Sequence, residues 1–330
     1  MKFLIAGLGS IGRRHLRNLQ ALGEKDIVLY RTRQSTLPDG ELDGLLTETD
    51  LSAALAHIPD ALIVANPTAL HLDVAIPAAE AGCSILMEKP VSDSLERIDA
   101  LDAALRAGKG QLLVGFQFRF HPTLRKAAEL LKASSIGKPL SFHVHWGEYL
   151  PSWHPWEDFR SGYAARPDLG GGVILTLCHP LDYVRMLLGE VEALWAFSDS
   201  LNLGLPVEDT AEIGLRLMDG TIGSVHVDYN QVPPTHRWEI VGSGGTMQWD
   251  YADGVLQMYV TAKKAWERFT PAEDFERNVM FLDEMRHFIK VTRREVDPIC
   301  TLEDGRHALE LALAAQRSSK LEQMIRFFDR

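Results

Sequence analysis

Cysteine is scarce in this sequence: three residues, Cys83, Cys178 and Cys300, stand far apart among 330. An odd, widely spaced set builds no disulfide framework, and small buried thiols in a reducing compartment are the simplest reading. Long apolar runs are missing as well, and none approaches the roughly 18 residues of a membrane span. The opening stretch 1–6 runs straight into Gly7, without the longer apolar region and small-residue cleavage site of a secretion signal, so a cytoplasmic protein is expected. Positive charge is in deficit: 34 Lys and Arg against 45 Asp and Glu leave a net charge of −11. That balance argues against general nucleic-acid or anionic-membrane binding but permits local basic pockets for phosphates. Repeats, low-complexity segments, a Walker loop and a G-x-S-x-G elbow are all lacking, which leaves kinase and hydrolase readings poor.

What is present has the bulk of an ordinary globular protein, with 46% apolar and 24% charged residues, and a length that suggests two domains. The first 120 residues alternate in type. Short apolar runs at 3–6, 27–30, 61–65, 85–87 and 112–116 read as strands. Helical spacing at 11–22, 51–57, 70–81 and 94–107 falls between them, and the helices stop at Gly23, Gly82 and Gly108. Strands alternating with helices predict βαβ units and a parallel sheet, and runs apolar on both faces predict helices on both sides. Beyond residue 120 the character changes. A helix opens at Pro122 and 140–149 alternates polar with aromatic residues. A loop rich in Pro, Trp and Gly covers 150–172, and period-two stretches at 211–218, 221–229, 237–241 and 246–249 predict an antiparallel sheet. Two helices, 275–291 and 302–317, close the chain. The expected division is a dinucleotide-binding domain at 1–120 and a substrate-binding and dimerisation domain at 121–330, whose final helix can pack back on the first.

Gly7-Leu8-Gly9-Ser10-Ile11-Gly12 is G-x-G-x-x-G between the first strand and the first helix. Gly7 allows the tight turn, Gly9 lets backbone approach a pyrophosphate and Gly12 lets helix and strand pack closely. The free N–H groups of the helix start, at Ser10 and Ile11, face the phosphate. Where an acidic residue at the end of the second strand would bond the ribose of NAD, this chain has Tyr30-Arg31-Thr32-Arg33. Arginines grip a 2′-phosphate with paired hydrogen bonds, so NADP is expected ahead of NAD. Solvated loop charges are the alternative for Arg31 and Arg33, and Arg13 and Arg14 read as surface residues.

Three further motifs end strands, where an open parallel sheet binds its ligands: Asn66-Pro67-Thr68 with His71, Glu88-Lys89-Pro90, and Gly115-Phe116-Gln117-Phe118-Arg119-Phe120-His121-Pro122. Later comes Gly170-Gly171-Gly172, then Thr176 and His179-Pro180-Leu181-Asp182. With these motifs in this order the chain resembles the Gfo/Idh/MocA family of sugar and cyclitol oxidoreductases over nearly its whole length. The resemblance implies an α/β protein: an N-terminal Rossmann domain and a C-terminal α/β domain on an open, mostly antiparallel sheet that packs against a second subunit in a homodimer or homotetramer. Their place at strand ends sets Asn66, Pro67, Thr68, His71, Glu88, Lys89 and Gln117 to meet the nicotinamide half of a dinucleotide, with a capping or packing role as the alternative for His71; the resemblance implies that Pro90 follows a cis bond. Lys89 would then hydrogen-bond the reacting hydroxyl, and His179 would exchange its proton. One departure stands out. Family members often carry Asp near Thr176, and threonine holds no charge; Asp182, one turn past His179, is a possible substitute.

Trp153, His154, Trp156, Arg160, Tyr163 and Arg166 precede the triple glycine. Aromatic rings stack on sugar faces and Arg binds anions in pairs, so Arg160 and Tyr163 join Arg119, Thr176 and His179 as expected substrate contacts. His143, His145, Glu148 and His154 have zinc-ligand chemistry, but no paired cysteines or H-E-x-x-H helix supports them, and no metal is expected. The reading is an NAD(P)-dependent oxidoreductase of a secondary alcohol or ketone in a sugar, cyclitol or nucleotide sugar. A catalytically silent dinucleotide-binding sensor and redox-assisted glycosidic cleavage are the alternatives.

Overall fold

Apolar strands of three to five residues, too short to be stable alone, share one parallel sheet in the first half of the chain. The computed structural model describes residues 1–32 and 37–327. In chain order the elements are β1 (Phe3–Ala6), α1 (Ser10–Ala21), β2 (Ile27–Tyr30), β3 (Leu46–Glu48), α2 (Leu51–Leu55), β4 (Ala61–Val64), α3 (His71–Glu80), β5 (Ser84–Glu88), α4 (Ile98–Gly108) and β6 (Leu112–Gly115). The strand order is β3-β2-β1-β4-β5-β6, with every neighbouring pair parallel. All residues of β1, β4, β5 and β6 are buried, as a sheet covered on both faces requires. The order reverses between β1 and β4, which is the switch point where such sheets bind dinucleotides. The short α2 is held by its cap, Asp50, whose side chain accepts from the Ala53 N–H at 2.8 Å.

Two local readings change. The strand β3 escapes the sequence because it has only three residues and Leu46 is exposed. Helix α4 starts at Ile98 because Arg97 takes a left-handed conformation (φ 68°), which no α-helix continues through.

The second sheet is built from longer strands. After α5 (Pro122–Lys132) come β7 (Pro139–Tyr149), α6 (Val173–Thr176), α7 (His179–Leu188), β8 (Val191–Asp199), β9 (Thr210–Leu217), β10 (Ile222–Asp228), β11 (Asn230–Gly242), β12 (Gly245–Asp250), β13 (Val255–Val260) and β14 (Ala265–Phe269). Two helices, α8 (Arg277–Thr292) and α9 (Leu302–Leu321), precede a two-residue edge strand, β15 (Ile325–Arg326). The order is β14-β13-β12-β11-β7-β10-β9-β8-β15. Neighbours are antiparallel except β7 and β10, which run parallel in register with His145 opposite His226. Alternate side chains divide the faces. Phe142, Val144, Trp146, Trp238, Ile240 and Trp249 are buried, and β7 packs there against α7. His143, Glu212, Ser224, His226 and Glu239 point the other way, into a shallow groove.

The chain forms two compact units. The first comprises 1–117, 168–170 and 276–309; the second comprises 118–167, 171–275 and 310 onward. The chain thus returns to its first unit twice after leaving it at Gln117. All three cysteines are buried. No helix among the described residues is long and apolar enough to cross a membrane.

Candidate active site

The glycine-rich turn is dictated by neighbouring backbone. Gly7 has φ +92°, and a Cβ there would strike the Asn66 backbone; a Cβ on Gly12 would strike the Gly7 carbonyl. Gly9 differs, since nothing lies within 4 Å of where its Cβ would be. Strand β1, this open backbone and the start of the twelve-residue α1 form a cradle that fits a pyrophosphate on free helix N–H groups. Arg13 is not a surface residue. It is 3% exposed and donates to the carbonyls of Leu8 (3.0 Å), Leu37 (3.2 Å) and Pro38 (2.6 Å), fastening the glycine turn to the segment after β2. Arg31 is buried while Thr32 is exposed, so the solvated-charge alternative fails for Arg31; Arg33 lies outside the described residues.

At the ends of β4 and β5 two turns are tied together. The Asn66 side chain donates to the Leu70 carbonyl at 2.9 Å. His71 is 1% exposed and bonds the Asn66 carbonyl through Nε2 at 3.0 Å. Burial pulls its imidazole below the usual range, against hydrogen bonds to the backbone of Asn66, Pro90 and Val91. His71 is thus a brace between the Asn66 and Lys89 turns. The Lys89–Pro90 bond is cis. Glu88 is buried, and its Oε1 lies 2.8 Å from His15 Nε2 on α1. Burial opposes its ionisation, yet the hydrogen bond and charge of His15, with the charge of Lys89, hold its carboxyl below the usual range. Nearby Glu284 on α8 is fully buried. Among the described residues neither of its oxygens has a hydrogen-bond partner. Burial and the Glu88 charge push its pKa well above the usual range. The sequence reading missed His15 and Glu284, because a helix histidine and a helix glutamate carry no motif.

In the second unit, His179 is the first residue of α7 and is 2% exposed. Phe118 meets its ring edge-on at 5.0 Å and Trp146 lies 5.5 Å away. Arg119, expected on the substrate, grips Asp182 through Nε (3.0 Å) and a terminal nitrogen (2.6 Å). Both partners are buried, so Asp182 anchors α7 to the Phe118 segment rather than serving as a ready substitute for the missing aspartate. Thr176 is buried near Tyr229, whose hydroxyl donates to the Ala164 carbonyl at 3.4 Å. Beside them Gly172 (φ +104°) leaves room for the Glu208 carboxyl, which a Cβ would strike. That carboxyl accepts from the Ile174 N–H at 3.3 Å and from Gln316 at 3.2 Å. Below His179, Trp146 stacks on His236 at 4.4 Å, and the Tyr183 hydroxyl is 3.1 Å from His236 Nε2. Burial drives the His236 imidazole well below its usual range and that of His121 down to about 4. Tyr229, Glu208 and His236 had no local signal.

The loop residues are more exposed. Arg160 lies over the Phe159 ring at 4.4 Å, and Tyr163 is 38% exposed. Trp153 packs edge-on against Tyr229, while His154 stacks on exposed Trp156. The suspected metal quartet does not assemble. Glu148 accepts from Trp146 Nε1, His143 lies 3.3 Å from Ser224 Oγ, and His154 faces Glu157.

Two family descriptions match the chain. Residues 1–116 match "Oxidoreductase family, NAD-binding Rossmann fold", and residues 124–248 match "GFO/IDH/MocA C-terminal domain". The chain belongs to the Gfo/Idh/MocA family, and it is an NAD(P)-binding oxidoreductase. It is 28% identical over 350 residues to myo-inositol 2-dehydrogenase of Thermotoga maritima, covering 98% of this chain and 100% of that one. It is 25% identical over 293 residues to an NADP(+)-type D-xylose 1-dehydrogenase of Haloferax volcanii, covering 84% and 87%. The solved structure of levoglucosan dehydrogenase with NADH and levoglucosan superposes with a TM-score of 0.88 at 20% identity, with both chains covered entirely, which establishes the shared fold.

Proposed function

We propose that this protein is a dehydrogenase or reductase that moves a hydride between NAD(P) and a secondary alcohol or ketone of a cyclitol or sugar. The observation that carries the reading is the Lys89 turn: a half-buried lysine at the carboxyl end of a Rossmann strand, on a backbone braced by His71 and directly after the buried Glu88, which pairs with His15. The named activities of the relatives, cyclitol and sugar dehydrogenases, point to the same substrates. Gly7, Gly9, Ser10, Ile11 and Gly12 hold the pyrophosphate, and Asn66, Pro67, Thr68 and Gln117 approach the nicotinamide half. Bound NAD(P) supplies a two-electron hydride acceptor. Lys89 donates a hydrogen bond to the reacting oxygen and stabilises its negative charge as the carbinol hydrogen departs. His179 takes the hydroxyl proton in oxidation and returns it in reduction. Arg160 and Tyr163 contact the substrate from the loop before the triple glycine, with Thr176 beside them.

Arg31, with Arg33, favours the 2′-phosphate of NADP. Self-association runs through the open sheet, where Trp195 and Phe197 on β8 stand 43% and 68% exposed. The protein acts in the cytoplasm. Parallel assays of Lys89→Ala and His179→Asn test the assignment: each keeps dinucleotide affinity and loses turnover. Wild-type turnover in both variants on the true substrate would overturn it.

A further inference from the structure

The outward face of the second sheet carries a feature that hydride transfer does not use. Parallel pairing of β7 with β10 sets His145 beside His226, with the rings 4.7 Å apart, and brings in Asp228 two residues further along β10. One ligand atom from each of the three lies within 4.8 Å of the others. His226 Nε2 and Asp228 Oδ2 are 3.2 Å apart as a hydrogen-bonded pair, whose proton a bound metal ion would displace. Two ligands on a tetrahedral zinc ion with bonds of about 2.0–2.1 Å stand roughly 3.3 Å apart.

The surroundings hold these atoms as a metal site requires. The other nitrogen of His226, Nδ1, lies 3.0 Å from the Glu212 carboxylate on β9, the carboxylate–histidine arrangement that fixes a ligating ring and raises its basicity. Nε2 of His145 lies 3.3 Å from Gln231 Oε1, so the amide can orient that ring too. Asp228 Oδ1 accepts from the Asn230 N–H at 2.7 Å, which turns Oδ2 toward His226. Position 147, opposite Asp228, is glycine, and any Cβ there would strike Oδ2. His145 and His226 border a groove of about 680 Å³ on the same sheet face through which self-association is proposed. Arg237 stands across β11 from His145; Asp228 and Glu212 supply the opposing negative charge.

We propose that His145, His226 and Asp228 form a binding site for a divalent cation of the zinc type, with Glu212 and Gln231 orienting its ligands. Two imidazoles and one carboxylate suit zinc or cobalt and are poor for magnesium or calcium, which prefer all-oxygen shells. The sequence could not display the site, because its two histidines come from strands far apart in the chain.

The test is a titration of the tag-free, full-length protein with Co²⁺ alone, followed by its visible absorption, and then displacement by Zn²⁺ measured calorimetrically. The expected result is one cobalt ion per chain with the intense bands of a four-coordinate site, bleached by one equivalent of zinc. His226→Ala and His145→Ala should each weaken zinc at least 100-fold, Glu212→Gln about 10- to 100-fold, and His143→Ala, on the same face, not at all. Dinucleotide binding should be unchanged in every variant, which also reports that each is folded. A wild-type protein that gives only the weak six-coordinate cobalt spectrum, or binds zinc no better than His226→Ala, would overturn the proposal. If His145→Ala and His226→Ala fail to fold, equal zinc affinity in Glu212→Gln and wild type would overturn it.

Discussion

Arg119 shows how much a single side chain's partner matters. From sequence it is an expected substrate contact within a strand-end motif, with a structural ion pair as the alternative; in the structure it is half of a buried two-point ion pair with Asp182. Removing one member leaves the other charge buried alone, at a cost of about 3–5 kcal/mol. Arg119→Met should therefore lower unfolding stability by that order in urea titration, and Arg119→Met/Asp182→Leu should recover much of it. The same scale governs catalysis. Lys89→Ala should cost about 10²–10³ in kcat and His179→Asn about 10²–10⁴, with dinucleotide affinity intact; steady-state kinetics beside a binding titration checks both. Buried histidines give the protein an acid-side weakness. With a folded pKa of about 4 against 6.5 unfolded, His121 stays neutral in the fold while the unfolded chain takes up its proton. Its contribution is fully present above about pH 6.5 and is lost as pH falls toward 4, by at most about 3 kcal/mol. His121→Asn should flatten Tm against pH over that window only in part, since His71 and His236 shift the same way. Motif residues were legible because their chemistry is local. His15, Glu208, Tyr229 and Glu284 were not, because each gains its role from a partner distant in sequence.

At the scale of elements, two glycines of one turn should behave oppositely. Gly7→Ala puts a methyl into the Asn66 backbone at a positive φ, so it should destabilise the fold itself. Gly9 has φ −72° and free space beside it. Gly9→Ala should fold with an unchanged Tm yet bind NADH and NADPH at least tenfold more weakly, about 1.4 kcal/mol, because its methyl occupies the phosphate cradle. Thermal melts with and without dinucleotide separate the two effects. The Rossmann half was readable almost strand by strand, since β1, β2, β4, β5 and β6 are short apolar runs between helix signals. The exposed β3 broke that pattern. The second sheet was readable as a class but not in register: nothing in the alternation of 140–149 says that β7 pairs parallel with β10, and that pairing alone joins His145 to His226.

At the scale of the whole molecule, both halves match one oxidoreductase family in order along the chain. In the proposed reading, cofactor preference rests on Arg31 with Arg33. Arg31→Ala should reduce NADPH affinity at least tenfold and leave NADH nearly unchanged; fluorescence quenching of the seven tryptophans reads both. Isotope transfer tests the central claim most directly. Cyclitols and sugars deuterated at their carbinol carbons are incubated with the protein and NAD⁺ or NADP⁺, and the reduced cofactor is analysed by mass spectrometry. The account predicts deuterium on the nicotinamide C4 with at least one of these substrates, and none with the Lys89→Ala protein. A folded protein that binds the dinucleotide but transfers no label from any cyclitol or sugar would contradict it.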